Sequence, residues 1–462
     1  MSIHILIIGG GLAGLTTAYR LASPGIRVSL VDKGPLDESP IPECSQLPSH
    51  PLDQSNGLPF ILHRFQNRVW ELLHELGTAS LLQHEIPVQF EFLQSAGQLK
   101  PFRPFPAPAP FHSLLGLLTF RALPIKDRWS LLNMVEKYWE GATELPQDFE
   151  SLTTDTWLTG IGQSALACHD VWNPLCQFLL GDSLAQSSAN FFKAMVIQGF
   201  LSGRRNHETW LPSLDETSLL LRPLRHLLKQ KGVALYPRKE VTHFQCHAQS
   251  ITGVTLQDGT RMTADGYVAA MPPHSLMPCL PERLLAKYSY FCSLANLREN
   301  PALIVQVEVP AISSRPRLFL SYQPFHWISN RPEHRHNGEI TVFSCIKTGH
   351  HHLFDESDHR ILDQALENIQ ASFYPHVPQE LRRPFGTQIH RVPHCFLSPH
   401  PSQSAQRPLQ QSPLSNFFLA GPWTDTGLPA SRESSILSAQ MCAQSIVNST
   451  FSPNIDNLIL QS

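Results

Sequence analysis

The chain has 462 residues, of which 42% are hydrophobic and 16% are charged, and its formal net charge is −3. A chain of this length is expected to form two globular domains, because a single hydrophobic core stops growing at a smaller size. Its Lys and Arg residues are scattered, which argues against nucleic acid as a partner. The nine cysteines show neither a C-x-x-C pair nor zinc spacing, so we interpret them as reduced thiols in the cytoplasm.

The first predicted elements are a strand, a helix and a second strand. Residues 3–8 (IHILII) are continuously apolar, as in a strand that is buried on both faces. Residues 12–22 follow a helical pattern, and a strand-like run, RVSLVD, ends at Asp32. An acidic residue at this position can accept hydrogen bonds from a ribose hydroxyl.

A glycine motif joins the first strand to the helix. Gly9, Gly11 and Gly14 satisfy G-x-G-x-x-G, which permits a tight turn, lets backbone amides approach a pyrophosphate and lets helix and strand pack closely. The positive end of the helix, at Leu12 and Ala13, then faces the phosphates. The motif predicts a dinucleotide site but leaves NAD(P) and FAD open.

The middle of the chain changes character several times. A helix is predicted from Arg64 to Leu76, and a largely helical stretch covers residues 154–204. Between them, residues 101–125 combine proline-fixed extended chain with the start of an apolar helix. This segment suits either a membrane-surface or substrate-entry element, or a loop packed on the protein.

The second half of the chain is rich in predicted strands. A helix from Pro223 to Lys231 is followed by period-two segments that suggest a strand, an antiparallel excursion and a return strand. Further predicted elements are the strands 302–309, 317–322, 338–346, 386–392 and 416–421 and the amphipathic helix 357–373. Adjacent side chains such as His350 to His352 point in different directions, so no metal site is predicted.

A second motif lies near the carboxyl terminus. Residues 417–421 (FFLAG) read as a buried strand, and a helix is predicted over residues 427–447. The start of that helix would aim backbone N–H groups at an electron-rich group. A cofactor held at both ends of the chain in this way is FAD rather than NAD.

The combined pattern resembles the FAD-dependent amine oxidase and phytoene desaturase superfamily. Within it, the chain is most similar to the squalene-associated flavoproteins, the hydroxysqualene dehydroxylases. The resemblance rests on blocks at residues 9–14 (GGGLAG), 105–118, 172–192 (WNPLCQFLLGDSLAQSSANFF), 211–233, 267–273 and 419–439 (LAGPWTDTGLPASRESSILSA). It implies an α/β fold in which a Rossmann-like FAD-binding domain is interleaved with an α+β substrate domain. The implied domains are 1–80, 215–275 and 405–450 for FAD, 81–214 and 276–404 for substrate, and a tail at 451–462.

The resemblance also implies roles for individual residues. Gly9, Gly11 and Gly14 would contact the pyrophosphate, Asp32 the adenosine ribose, and Val241 the adenine through its backbone. Gly421 and the segment Leu428, Pro429 and Ala430 would hold the flavin end. The chain departs from the superfamily where a Gly-Gly-Arg turn commonly follows the ribose acid, and where Pro422 replaces an aspartate.

The implied reaction replaces an allylic hydroxyl of a C30 isoprenoid by hydrogen, in squalene and hopanoid synthesis. Asp425 is a candidate acid, and Trp172, Asn173 and Trp423 are candidates for the substrate pocket. Expected partners are the isoprenoid and other squalene-pathway enzymes, and the protein would be cytoplasmic or peripheral on the inner face of the membrane. The alternatives are a carotenoid desaturase, an amine oxidase, and a scaffold of a lipid-synthesis complex without FAD.

Overall fold

The computed structural model describes residues 2–36, 58–139, 149–312, 315–335, 338–373, 377, 379–382 and 384–451. Within these ranges the strands are β1 (Ile3–Ile8), β2 (Ile26–Val31), β3 (Leu62–His63), β4 (Phe90–Leu93), β5 (Leu99–Pro101), β6 (Thr209–Trp210), β7 (Ala234–Tyr236), β8 (Val241–His247), β9 (Ser250–Leu256), β10 (Arg261–Met262), β11 (Gly266–Ala269), β12 (Glu299–Pro310), β13 (Arg317–Ser321), β14 (Trp327–Arg335), β15 (Gly338–Thr348), β16 (Gly386–Leu397) and β17 (Phe417–Leu419). The α-helices are α1 (Leu12–Leu21), α2 (Asn67–Glu75), α3 (Phe111–Thr119), α4 (Ile125–Trp139), α5 (Thr154–Gly160), α6 (Ala165–Ala167), α7 (Asn173–Leu180), α8 (Ala189–Val196), α9 (Arg222–Gln230), α10 (Pro273–Leu276), α11 (Glu282–Lys287), α12 (Ser289–Cys292), α13 (Asp358–Phe373), α14 (Pro401–Ser404) and α15 (Arg432–Phe451).

A five-stranded parallel sheet forms the first layer, in the order β17-β11-β1-β2-β7. Its central strand β1 is apolar except for His4, as expected of a strand in a sheet that helices and strands cover on both faces. Helices α1, α2, α9 and α15 pack around one hydrophobic core with the sheet. The antiparallel strands β8, β9 and β10 and helices α10 to α12 contribute to the core on the opposite face. The prediction of a strand, an antiparallel excursion and a return strand is confirmed.

A seven-stranded mixed sheet forms the second part, in the order β16-β12-β15-β14-β13-β4-β5. Helix α13 covers one face, where Ile361, Ala365 and Ile369 are fully buried. Helices α7 and α8 contribute to the core on the other face. The two-stranded sheet of β3 and β6 joins a strand of predicted domain 1–80 to a strand of predicted domain 81–214. The domain boundaries themselves stay a prediction.

Strand β14 was not predicted, because its sequence contains a proline and several charged residues. The register explains how the proline is accommodated. Strand β13 pairs with β14 only as far as Asn330. Pro332 therefore has a neighbouring strand on one side alone, where it lies opposite Thr341 of β15. A residue without an N–H is tolerated where a strand has a free edge.

The predicted start of the carboxyl-terminal helix is wrong. The helix begins at Arg432 and not at residue 427, because Ser431 caps it by accepting the N–H of Ser434 at 3.2 Å.

The period-two segment that follows α9 divides into β7 and β8, which lie in different sheets. The division falls after Pro237 at Arg238, whose φ is +55°.

Candidate active site

The carboxyl ends of four parallel strands form one edge of the first sheet. The amide of Gly9 donates to Val31 O (2.9 Å), Ala270 N donates to Ile8 O (2.7 Å), and Ala420 N donates to Ala269 O (3.1 Å). Since neighbouring strands lie about 4.8 Å apart, the three spacings from β2 to β17 span about 14 Å. Ligands of open parallel sheets bind at this edge.

The glycine turn at the end of β1 is built by close backbone contact. A Cβ on Gly14 would lie 1.9 Å from the carbonyl oxygen of Gly9, so only glycine fits between strand and helix. By contrast, a Cβ on Gly11 would meet nothing within 4 Å. The first turn of α1 contains no acidic residue and no side-chain cap, which leaves the N–H groups at Leu12 and Ala13 for an anionic ligand. This open backbone cradle fits a pyrophosphate.

Asp32 lies at the end of the neighbouring strand β2. Its Oδ2 accepts the N–H of Gly10 at 2.5 Å and its Oδ1 accepts the N–H of Gly34 at 2.6 Å. The backbone of Lys239 donates to Asp32 O at 2.8 Å, which brings the buried Val241 close to the same strand end. Each carboxylate oxygen keeps a further lone pair, so this end suits a ribose and its base.

The turn after β17 is held by side chains from other elements. The Gly421 amide donates to Ser438 Oγ (2.9 Å), and Thr424 Oγ1 donates to Gly421 O (2.9 Å) while lying 2.6 Å from Ser438 Oγ. Gln410 Nε2 donates to Thr424 Oγ1 at 3.0 Å. Because Thr424 N also donates to Gly421 O, Pro422 occupies the second position of a β-turn, which proline favours.

Asp425 follows this turn and has a local structural role. Its Oδ1 accepts the N–H of Gly427 at 3.1 Å, and its own N–H donates to Pro408 O at 2.8 Å. Aspartate commonly stabilises turns in this way. The structure therefore gives Asp425 a turn contact, and its assignment as an acid stays a prediction.

The segment Leu428, Pro429 and Ala430 crosses from this turn to helix α15. The buried Arg407 donates from Nη1 to Leu428 O at 2.6 Å, and its guanidinium lies 5.0 Å from the ring centroid of Phe191. Burial lowers the pKa of Arg407 to about 10. The segment is thus fixed by an arginine from outside it, and its contact with the flavin stays a prediction.

An apolar cavity lies in the second part of the molecule, under helices α3 and α4. The empty space between its lining residues, including the part that is open to solvent, is about 740 Å³. It is lined by Phe90, Phe92, Phe102, Ser113, Leu114, Leu117, Phe120, Leu123, Leu131, Met134, Val135, Val171, Trp172, Leu175, Val196, Phe200 and Leu201. Such a lining suits a hydrocarbon.

The three candidates for a substrate pocket separate in the structure. Trp172 lines the cavity, with its Nε1 donating to Gln163 Oε1 at 2.7 Å. Asn173 lies outside the lining and accepts the N–H of Leu184 at 3.2 Å. Trp423 is buried in the core beside β11 and β17. Only Trp172 therefore contacts the cavity.

Ser113 is the polar exception in the cavity. It lies on α3, is 4% exposed, and within the described part of the chain its Oγ has no hydrogen-bond partner. A buried hydroxyl left unpaired costs about 1–3 kcal/mol. Ser113 can therefore bond to a polar group of a molecule that enters the cavity.

A buried polar cluster lies just beyond the carboxyl end of α7, the helix that carries the cavity residue Leu175. Asp182 Oδ2 accepts from Asn300 Nδ2 at 2.6 Å, and burial raises the pKa of Asp182. Burial lowers the pKa of Lys347 to about 8 and that of His326 to about 3. The neutral His326 thus accepts at Nε2 from Lys347 Nζ, 2.7 Å away.

The parallel sheet, the glycine turn after β1 and the second turn after β17 are together typical of an FAD-dependent oxidoreductase. The family profile described as flavin containing amine oxidoreductase matches residues 57–447, and the profile described as FAD dependent oxidoreductase matches residues 4–39. The chain therefore belongs to the flavin-containing amine oxidoreductase family. Its cofactor is FAD, which supports the hypothesis of a dinucleotide held at both ends of the chain.

Individual relatives share the whole length of the chain at low identity. Zeta-carotene desaturase from Synechocystis sp. is 22% identical over 96% of this chain and 97% of its own length. A 15-cis-phytoene desaturase from Narcissus pseudonarcissus is 23% identical over 96% of this chain and 79% of its own. The solved structure of cyclohexylamine oxidase from Brevibacterium oxydans superposes with a TM-score of 0.66 at 16% identity, over 97% of this chain and 99% of that chain. This last likeness supports the fold.

Several residues of the site were missed by sequence reasoning. Ser438 and Gln410 gave no sequence pattern, because their role depends on contacts between distant elements. Ser113 did leave a trace, since it lies in the largely apolar segment FHSLLGLL. A polar residue inside a run predicted to be buried is evidence of a specific contact.

Proposed function

We propose that the protein catalyses the FAD-dependent reductive dehydroxylation of hydroxysqualene to squalene, in squalene and hopanoid synthesis. The observation that carries the proposal is the unpaired hydroxyl of Ser113 in an otherwise hydrocarbon-lined cavity. A C30 alcohol supplies both the apolar body for the lining and a hydroxyl for Ser113. A pure hydrocarbon would leave Ser113 unpaired and would forgo this hydrogen bond.

The proposed reaction balances as R–OH + H⁺ + H⁻ → R–H + H₂O. Protonation of the allylic hydroxyl lets water leave, and the cation that forms is stabilised by resonance. Reduced FAD supplies hydride chemistry when it is bound. The apolar lining excludes water that would otherwise recapture the cation, and Ser113 would orient the hydroxyl.

A carotenoid desaturase is the second candidate. It is favoured by the zeta-carotene and phytoene desaturases among the relatives, whose substrates are isoprenoids as well. An amine oxidase has support from the shared fold alone, and the cavity lining contains no charged side chain to pair with an ammonium group. The FAD-free scaffold is not carried forward, because the family match and the glycine turn both support FAD.

The test compares substrates in wild type and Ser113→Ala. Protein loaded with FAD is incubated in its reduced form with hydroxysqualene, or in its oxidised form with zeta-carotene, because desaturation must deliver electrons to the flavin, and products are separated by chromatography and mass spectrometry. We expect squalene from the wild type. Removing a hydrogen bond worth about 1.4 kcal/mol should lower kcat/KM for the alcohol about tenfold.

The control is Ser372→Ala, which removes a buried hydroxyl of α13 that bonds within its own helix to Asn368 O. This variant should leave kcat/KM unchanged. Desaturation of zeta-carotene by the wild type without squalene formation from the alcohol would contradict the proposal and favour the second candidate.

We further propose that helices α3 and α4 place the cavity mouth against an anionic membrane. Helix α3 is apolar on two sides, because Leu114 and Leu117 line the cavity while Phe111, Leu115 and Leu118 are exposed at helical spacing. On α4, Ile125 and Trp129 are 67% and 58% exposed. The neighbouring Arg121 and Lys126 are also exposed. This pattern supports an interfacial element that admits a lipid-soluble substrate.

None of the described helices is long and apolar enough to cross a bilayer. Binding at the surface is measured by sedimentation with vesicles of mixed neutral and anionic lipid. Replacing Ile125 and Trp129 by serine should reduce the bound fraction strongly. The exposed apolar residues Phe385 and Leu409, which lie outside this surface, provide the control pair. Equal loss of binding in both pairs would contradict the proposed face.

A further inference from the structure

Three side chains of metal-binding type meet at the surface, away from the cavity. His274, Glu299 and His394 each offer one ligand atom, and these atoms all lie within 4.8 Å of one another. No other group of three or more His, Cys, Asp or Glu residues in the described ranges is spaced in this way. The cluster was not predicted, because its members come from segments far apart in the sequence.

The fold explains why these side chains converge. On the ladder between β12 and β16, Asn300 pairs with Phe396 but Ala302 pairs with Val392, so β16 carries a bulge that contains His394. Bulges redirect side chains. Glu299 opens the facing strand β12.

His274 approaches from the other part of the molecule. It lies on α10, which follows the parallel strand β11, and the fully buried Leu276 anchors that helix. The ring of His274 stacks on that of His394 with centroids 4.4 Å apart. The cluster is therefore assembled from one helix and two strands whose positions are fixed by the core.

One of the two distances to Glu299 suits a small tetrahedral ion, and the other is shorter. Ligand bonds of about 2.05 Å place neighbouring ligand atoms about 3.3 Å apart. His394 Nδ1 lies 3.3 Å from Glu299 Oε2, and His274 Nδ1 lies 2.5 Å from the same oxygen. The His274 ring is partly exposed, and a rotation that moves its Nδ1 by less than 1 Å would lengthen the distance from Nδ1 to Glu299 Oε2 to about 3.3 Å.

We propose that His274, Glu299 and His394 form a Zn²⁺ site, with water as the fourth ligand. Two imidazoles and one carboxylate are a donor set typical of zinc, whereas Mg²⁺ and Ca²⁺ prefer oxygen ligands alone. The side chains of His274 and His394 are 37% and 51% exposed, which leaves room for the water. None of the three residues lines the apolar cavity.

The ion would fasten the parallel-sheet layer to the edge of the mixed sheet. Glu299 is followed directly by Asn300, which donates to Asp182 in the buried polar cluster. Zinc would thus hold the start of β12 in the position that supports this contact. Because an ion that binds the folded state alone stabilises it, zinc should raise the melting temperature.

The test measures zinc binding to the FAD-loaded protein by competition with a chromophoric chelator. We expect one Zn²⁺ per chain at this site. Replacing either histidine by alanine removes a direct ligand, so it should weaken binding at least as much as the roughly 10–100-fold loss caused by changes around a metal site. His394→Cys keeps a ligand atom and should retain binding.

The matched control is His359→Ala, because His359 is exposed and pairs with a single carboxylate, Asp363, at 2.9 Å. Flavin content and melting temperature in the presence of a chelator establish that each variant is folded. The proposal is overturned if His274→Ala and His394→Ala bind zinc as tightly as His359→Ala. It is also overturned if the wild type binds no zinc, since the three side chains would then form only an ion-paired cluster.

Discussion

The two turns proposed to hold the ends of FAD are built in different ways. At the end of β1, backbone atoms make the site, and the close approach of Gly14 to Gly9 O leaves room for no other residue. At the end of β17, the turn Gly421 to Thr424 depends on hydroxyl and amide side chains that arrive from Gln410 and Ser438. A turn built from backbone atoms is determined by a short sequence motif, whereas a turn held by side chains from distant elements depends on the tertiary fold.

The largest effect on stability and FAD content is expected from a substitution in the glycine turn after β1. Gly14→Ala places a Cβ 1.9 Å from the Gly9 carbonyl oxygen, so helix α1 must move away from the strand. We expect a loss of at least about 3 kcal/mol of stability and of nearly all bound FAD. Absorbance of the flavin per chain measures the loss.

The control for this variant is Gly160→Ala, where an added Cβ would meet nothing within 4 Å. It should retain FAD. Full flavin content in Gly14→Ala would show that the close packing at the turn is not required.

The polar cluster provides a second site built by side chains, and its effect is visible in the pH dependence of stability. Burial lowers the pKa of Lys347 from 10.5 to about 8, so between these values the unfolded chain binds a proton that the folded chain lacks. The free energy of unfolding should therefore rise with pH across this window, by up to about 3 kcal/mol.

Lys347→Met should remove that rise. The quantity to measure is the difference in unfolding free energy between wild type and variant from pH 7 to pH 10.5, because cysteines and tyrosines also titrate there. A difference that does not change with pH would mean that Lys347 keeps an ordinary pKa.

A smaller effect on stability and FAD affinity is expected at the turn after β17, which side chains hold in place. Ser438→Ala removes the acceptor of the Gly421 N–H and the neighbour of Thr424 Oγ1. Leaving buried groups unpaired should cost about 1–3 kcal/mol and weaken FAD several-fold. Ser445→Ala, on the same helix and bonded only to Met441 O at 2.9 Å, should have little effect on FAD. An equal response of the two variants would contradict a specific role of the network.

The smallest effect concerns Pro422. If the turn lies against the ribityl chain, Pro422→Asp adds an acceptor for its hydroxyls and should tighten FAD by up to about tenfold. Pro422→Ala separates this gain from the loss of the proline. Unchanged affinity in Pro422→Asp would contradict the placement of the turn on the ribityl chain.

The same contrast explains what the sequence could predict. The apolar run before Gly9 and the helix pattern after it predicted β1 and α1, because both patterns are local, and the role of Asp32 at the ribose stays a prediction. The strand Phe417–Leu419 was predicted too, but the start of the helix that follows, predicted at residue 427, was wrong by five residues, since Ser431 caps that helix. The Asp182 cluster and the three-residue zinc site combine segments that no local pattern connects.

The groove has a consequence for how the protein is made. Gly9 and Gly421 are 412 residues apart in the chain (421 − 9), yet they follow β1 and β17, which flank the same strand β11 in one sheet. At about 5–20 residues per second, a ribosome needs roughly 20–80 s to synthesise the intervening segment. If FAD binds at both turns, the nascent chain can present only half of the cofactor site during that time, and complete FAD loading would belong to the last stage of biogenesis.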